Sequence, residues 1–72
     1  MTTAAEITIE LNGARTAVPA GTTLAELVAR TLPHARAYAV ELNRAVVARR
    51  EHGARTVSEG DCVEIVTLVG GG

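Results

Sequence analysis

Residues Glu6 to Pro33 read EITIELNGARTAVPAGTTLAELVARTLP, and this stretch decides the fold. Ile7, Ile9 and Leu11 alternate with Thr8 and Glu10, the period of two that marks a half-buried strand. Asn12-Gly13 follows, a pair suited to the positive φ of a tight hairpin turn. Strand Glu6–Leu11 is therefore expected to pair with a returning strand Ala14–Val18, ended by Pro19 and Gly21. Thr23-Leu24-Ala25-Glu26 then has the spacing of a capping box, in which the threonine hydroxyl and glutamate carboxylate each satisfy a backbone N–H. Leu24, Leu27, Val28 and Thr31 fall on one face of a helix expected over Leu24–Leu32, which Pro33 stops.

Beyond the helix the pattern returns to strands. Val40 and Leu42 lie in a third short strand within 37–42, and Asn43 begins a turn. Val46 and Val47 suggest a brief fourth strand, and the polar run 49–53 suits a single helical turn. Glu59-Gly60-Asp61 is a turn signal before the longest β-like run, Cys62–Val69. Along that run Val63 and Ile65 share one face, while Cys62, Glu64, Val66 and Leu68 share the other. One helix must cover one face of a small sheet, which is an α+β architecture.

A chain of 72 residues is one domain. With a single cysteine it forms no internal disulfide, and His34 and His52 stand alone, so no metal site is expected. The core must be aliphatic: 47% of residues are hydrophobic, yet Tyr38 is the only aromatic. Seven arginines, eight acids and no lysine give a net charge of −1. That balance lacks the clustered basic face and stacking aromatics of a nucleic-acid binder. No apolar run approaches the ~20 residues needed to span a bilayer. Met1 to Ala5 is neither basic nor a hydrophobic signal core, and a cytoplasmic location is expected. So short a chain leaves little room for a catalytic cleft. The expected role is carrier or substrate rather than enzyme, with no catalytic residue of its own.

The sequence closes on Gly70-Gly71-Gly72. At roughly 7% usage per position such a run arises by chance about three times in ten thousand, which sets it apart from the turn glycines. An incidental linker is the bland alternative. A glycine segment has no side chains and accepts any backbone conformation, so it threads a tunnel too narrow for a Cβ. Its terminal carboxylate is a poor electrophile until ATP converts it to an acyl-adenylate, and that species needs a site that excludes water.

The hairpin, the capped helix, Val40-Glu41-Leu42-Asn43, Val46-Val47-Ala48-Arg49, Glu59-Gly60-Asp61-Cys62-Val63-Glu64-Ile65-Val66 and the glycine end together resemble the ThiS-type sulfur carriers of thiamin thiazole biosynthesis. The resemblance runs from about Glu6 to Gly72. Ala48 stands where that family often has proline, and His52 where it often has an aromatic. The resemblance implies a ubiquitin-like β-grasp fold: a mixed sheet of four or five strands with one main helix, and Cys62–Val69 parallel to the first strand. It implies a β-grasp domain over 6–69 between flexible segments 1–5 and 70–72. It also implies a function. A ubiquitin-activating-like adenylyltransferase, using ATP and magnesium, adenylates the Gly72 carboxylate. A persulfide of the cysteine-desulfurase type supplies sulfur, the product is a Gly72 thiocarboxylate, and thiazole synthase takes the sulfur. Gly70 and Gly71 thread into the partner. The chain itself binds no cofactor.

Three further readings concern side chains. Val66 and Leu68, out of register with the core positions, form an exposed docking patch for the partner, with Arg49 or Arg50 at its polar rim. Cys62 is a small strand residue rather than a persulfide relay, since nothing cationic adjoins it in sequence. His34 and His52 are solvated or structural, with no nucleophile–acid partner set. The rival functions are a carrier for another pathway (molybdopterin, cysteine or a specialised metabolite), a ubiquitin-like protein modifier, and a plain interaction module. The lack of lysine weakens any polymeric tag, because no chain can be built on side-chain amines.

Overall fold

The turn at Asn12 and Gly13 (φ 49° and 83°) sets the first pairing of the chain. In the computed structural model, which describes residues 5–34 and 37–68, β1 (Glu6–Leu11) runs antiparallel to β2 (Ala14–Pro19). The register runs from Leu11 opposite Ala14 to Glu6 opposite Pro19. The strand thus continues one residue past the expected Val18. Pro19 is tolerated because β2 is an edge strand and needs no further backbone donor.

Helix α1 (Leu24–Thr31) starts on the expected capping box. The Glu26 N–H donates to Thr23 Oγ1 at 3.1 Å, and the Thr23 N–H donates to Glu26 Oε1 at 2.8 Å. Leu32 is the C-cap, its N–H donating to the Val28 carbonyl at 2.7 Å. Leu24, Leu27 and Val28 are buried, so the apolar stripe faces the sheet as the spacing requires.

The chain then adds β3 (Tyr38–Leu42), the two-residue β4 (Ala45–Val46), a 3-10 turn at Arg49–Glu51 and β5 (Cys62–Thr67). Here two expectations shift. The fourth strand is Ala45–Val46, not Val46–Val47, because Asn43 and Arg44 (φ 52° and 72°) form a two-residue turn that puts Leu42 opposite Ala45. Val47 turns inward instead and is buried, its N–H donating to the Val40 carbonyl at 3.0 Å. The last strand runs to Thr67, Leu68 keeps one backbone bond, its N–H to the Ala37 carbonyl at 3.0 Å, and Val69, the expected strand end, lies outside the described residues.

The strand order is β2-β1-β5-β3-β4. β5 lies parallel to β1, with Cys62 beside Glu10 and Val63 beside Leu11, and antiparallel to β3, from Leu42 opposite Val63 to Tyr38 opposite Thr67. The last strand is therefore the middle strand, beside the first and parallel to it, a pairing that the crossover through the helix makes possible. This is the β-grasp arrangement, with five strands in a mixed sheet and one helix. Ile9, Val18, Leu24, Leu27, Val40 and Val63 are the most fully buried side chains, and all are aliphatic. Each contributes roughly 1.5–3 kcal/mol of burial. Of the segments expected to be flexible, residues 1–4 and 70–72 lie outside the described residues. Ala5 is described, its carbonyl accepting from the Ala20 N–H at 2.8 Å.

Candidate functional site: the end of the middle strand

β5 is held along both edges and carries the chain towards its C-terminus, so its outer end positions whatever follows. Asn12 and Asn43 pin it. Asn12 Oδ1 accepts from the Ile65 N–H at 2.7 Å, and Asn12 Nδ2 donates to the Ile65 carbonyl at 3.1 Å. Asn43 Oδ1 accepts from the Cys62 N–H at 2.9 Å, and Asn43 Nδ2 donates to Asp61 Oδ1 at 3.1 Å. Each asparagine sits in a two-residue turn, so it supplies both the left-handed backbone and a side chain that acts as an extra strand residue. Sequence reasoning found both turns and missed both bridges.

Val63 and Ile65 face the helix and are buried, while Val66 and Leu68 are 50% and 55% exposed on the other face. This is the disposition expected from their alternation. Val66 stands opposite Ala39 of β3. Val46, 73% exposed and opposite Glu41, is a further exposed aliphatic side chain, on β4, that the sequence reading did not assign. At the opposite end of the strand this face is acidic: Glu41 is the register partner of Glu64, and Glu10 that of Cys62.

Cys62 lies in that acidic part. Its Sγ is 3.7 Å from Glu10 Oε2, the thiol donating to the carboxylate. Partial burial first, then the Glu10 and Glu64 carboxylates, push the thiol pKa up, against a smaller opposing pull from Arg44. A thiol held protonated is a poor sulfur nucleophile, which fits the reading of Cys62 as a strand residue.

Arg49 and Arg50, expected at the rim of the patch, are both exposed in the 3-10 turn. The Arg49 guanidinium carbon lies 4.4 Å from the centroid of the Tyr38 ring. Tyr38 packs against the core, on the helix side of the sheet, and its register partner is Thr67. Arg49 therefore flanks the end of β5 from the face opposite Val66 and Leu68. His52 is structural: 4% exposed, it donates from Nε2 to the Val47 carbonyl at 2.9 Å. Its ring centroid is 5.9 Å from that of Tyr38. Its Nδ1 is buried and has no hydrogen-bond partner among the described residues. The burial of His52 was not visible in its polar sequence surroundings. His34 lies exposed in the turn after the helix.

Gly70, Gly71 and Gly72 lie outside the described residues. Among the described residues no group of three or more His, Cys, Asp or Glu side chains could hold a metal ion. No described helix is long and apolar enough to cross a membrane.

Residues 3–72 match the ThiS family. The chain belongs to the ThiS family. A thiamine biosynthesis protein, ThiS, of Geobacter metallireducens has a crystal structure that superposes with a TM-score of 0.77 at 33% identity. That likeness covers 92% of this chain and all of the other. A thiazole synthase of Magnetococcus marinus is 42% identical over 64 residues, which is 89% of this chain and 20% of that protein. This ThiS-family chain thus spans about a fifth of the length of that relative.

Proposed function

We propose that the protein is a sulfur carrier for thiazole formation in thiamin biosynthesis, a substrate of partner enzymes rather than an enzyme. The observation that carries the reading is the family match over residues 3–72, together with a β-grasp fold whose middle strand leads to the glycine end. A ubiquitin-activating-like adenylyltransferase binds the folded domain and receives the tail. Gly70 and Gly71 occupy a passage without room for side chains, and Gly72 presents its carboxylate to ATP and magnesium in the partner's site. The carboxylate oxygen attacks the α-phosphorus and pyrophosphate leaves. The outer sulfur of a persulfide donor then attacks the acyl carbon and AMP leaves; a thiol attacks the donor-side sulfur of the resulting acyl disulfide, forming a new disulfide with the donor and releasing Gly72 as the thiocarboxylate. Thiazole synthase takes the sulfur. The likeness to one segment of a thiazole synthase supports that enzyme as the acceptor, since a carrier-like domain there shares a chain with the catalyst.

The tail alone offers little area for affinity, so a folded surface must hold the carrier while its end reacts. Val66 and Leu68 are the natural anchors, because they are exposed aliphatics immediately before the tail. Deleting Gly71 and Gly72 tests the reading. A sulfur carrier loses all adenylation, whereas a plain interaction module is indifferent.

A further inference from the structure

The sheet face turned away from the helix has a charge pattern that the function proposed above does not use. Glu41 of β3 and Glu64 of β5 are direct register partners, and both are exposed. The Cβ atoms of such partners lie roughly 4.5–5.5 Å apart, and like charges there oppose the pairing. On the neighbouring strands the chain does otherwise, with Glu10 of β1 opposite Arg15 of β2. Arg44, in the turn after β3, is near enough to pull on the Cys62 thiol. Even so, among the described residues neither Glu41 nor Glu64 has an ion-pair or hydrogen-bond partner. The folded carrier thus holds two opposed, uncompensated carboxylates near the middle of an open sheet face. Their repulsion is relieved when a cation comes between them.

Register joins this pair to the exposed aliphatic side chains. Val46, Glu41 and Glu64 form one row across β4, β3 and β5, and Ala39 with Val66 forms the next row on the same face. Leu68 follows Val66 on the same face of the chain, towards the tail. The face is therefore aliphatic nearest the tail and acidic further along β5. An apolar contact area with charge beside it is the usual anatomy of a protein–protein interface.

We propose that this face docks on the adenylating enzyme through a basic side chain of that enzyme, an arginine or lysine seated between Glu41 and Glu64, while Val66 and Leu68 bury against apolar groups beside it. The proposal rests on the sulfur-carrier reading and names the partner chemistry at its docking surface. Other cations fit less well. Among the described residues no cluster could hold a metal ion. Gly72 is eight residues beyond Glu64, so an extended tail puts the reacting carboxylate, with its ATP and magnesium, roughly 27 Å away. A second copy of the chain would offer the same face, on which Glu10, Glu41 and Glu64 outnumber Arg15.

The test uses the full-length carrier and its cognate adenylating enzyme, with association followed in the absence of ATP. The double variant Glu41→Gln, Glu64→Gln should slow the on-rate about tenfold at low ionic strength, and the difference should shrink as salt rises. Its urea midpoint should equal or exceed that of the wild type, because the opposed charges are gone. Glu64→Gln alone should also slow association. Glu51→Gln, in the 3-10 turn, removes the same single charge and should leave the on-rate near the wild-type value. A double variant that folds and associates at the wild-type rate at low salt overturns the proposal. Equal effects of Glu51→Gln and Glu64→Gln overturn it too, since they would make the effect one of net charge. A double variant that loses stability and association together assigns the two glutamates a structural role instead. A wild-type dimer in sedimentation that the double variant breaks gives the face to a second copy, and also overturns it. Release of pyrophosphate by the wild-type pair is measured alongside. Its absence would count against the sulfur-carrier reading, whereas the Glu41–Glu64 contact stands or falls on the association rates.

Discussion

The side chain of Asn12 makes two hydrogen bonds with the backbone of Ile65, 53 residues further along the chain. The first hairpin turn is thereby fastened to the strand that leads to the tail. Beyond the parallel pairing of β1 with β5, which covers only Glu10–Cys62 and Leu11–Val63, the asparagine extends the ladder as a further rung. In the proposed function, a partner that draws the tail into a passage would load β5, and this rung and its counterpart at Asn43 would resist displacement of the strand.

Asn12→Gly keeps a residue that accepts positive φ and removes only the side-chain bonds. It should destabilise the domain by about 1–3 kcal/mol, since it leaves part-buried backbone groups of Ile65 without their partner. Urea unfolding checks this. A midpoint equal to that of the wild type would show that the bridge contributes nothing.

Leu68→Asp should fold normally and weaken binding to the adenylating enzyme at least about tenfold, because the side chain is more than half exposed and is docking surface in this account. Val63→Asp is the contrasting variant. Val63 is fully buried on the helix face, and a carboxylate there should unfold the domain. Circular dichroism and the KM for carrier at limiting carrier concentration distinguish the two. A folded Leu68→Asp carrier adenylated at the normal rate would remove this residue from the docking surface.

The raised pKa of Cys62 sets the direction of a pH experiment. As pH rises, the thiol of the unfolded chain ionises first and the folded thiol later. Alkylation of the folded protein should therefore rise at higher pH than alkylation of the urea-unfolded chain. The same difference means that stability declines as pH rises from the unfolded pKa through the folded one. Glu10→Gln removes the carboxylate charge while keeping an amide oxygen that can accept, and should move the folded profile back towards the unfolded one. Coincident profiles for the native and unfolded wild type would contradict the assignment.

The hairpin and the helix were legible because their signals are local. Asn12-Gly13 needs only its own two residues, and the Thr23–Glu26 box closes within one turn. The inward and outward faces of β5 followed from simple alternation. Features made by contacts distant in sequence were not legible. Nothing near Asn12 or Asn43 announces a hydrogen bond to β5, and nothing near His52 announces burial beside Tyr38. The fourth strand begins one residue before the Val46-Val47 pair that marks it in sequence, because Arg44, an unfavourable choice for positive φ, occupies the second turn position that glycine fills in the first hairpin. The face occupied by Arg49 depends on the ring that supports it, which sequence proximity to Val46 and Val47 does not reveal.

Intact-mass measurement of the carrier recovered after incubation with its adenylating enzyme, ATP, magnesium and a sulfur donor tests the central claim most directly. The account predicts a species heavier than the unmodified chain by the difference between one sulfur and one oxygen atom, with the change mapped by fragmentation to Gly72. An unchanged mass when the enzyme has turned over ATP, or high-mass conjugates through an amide at Gly72, would contradict it.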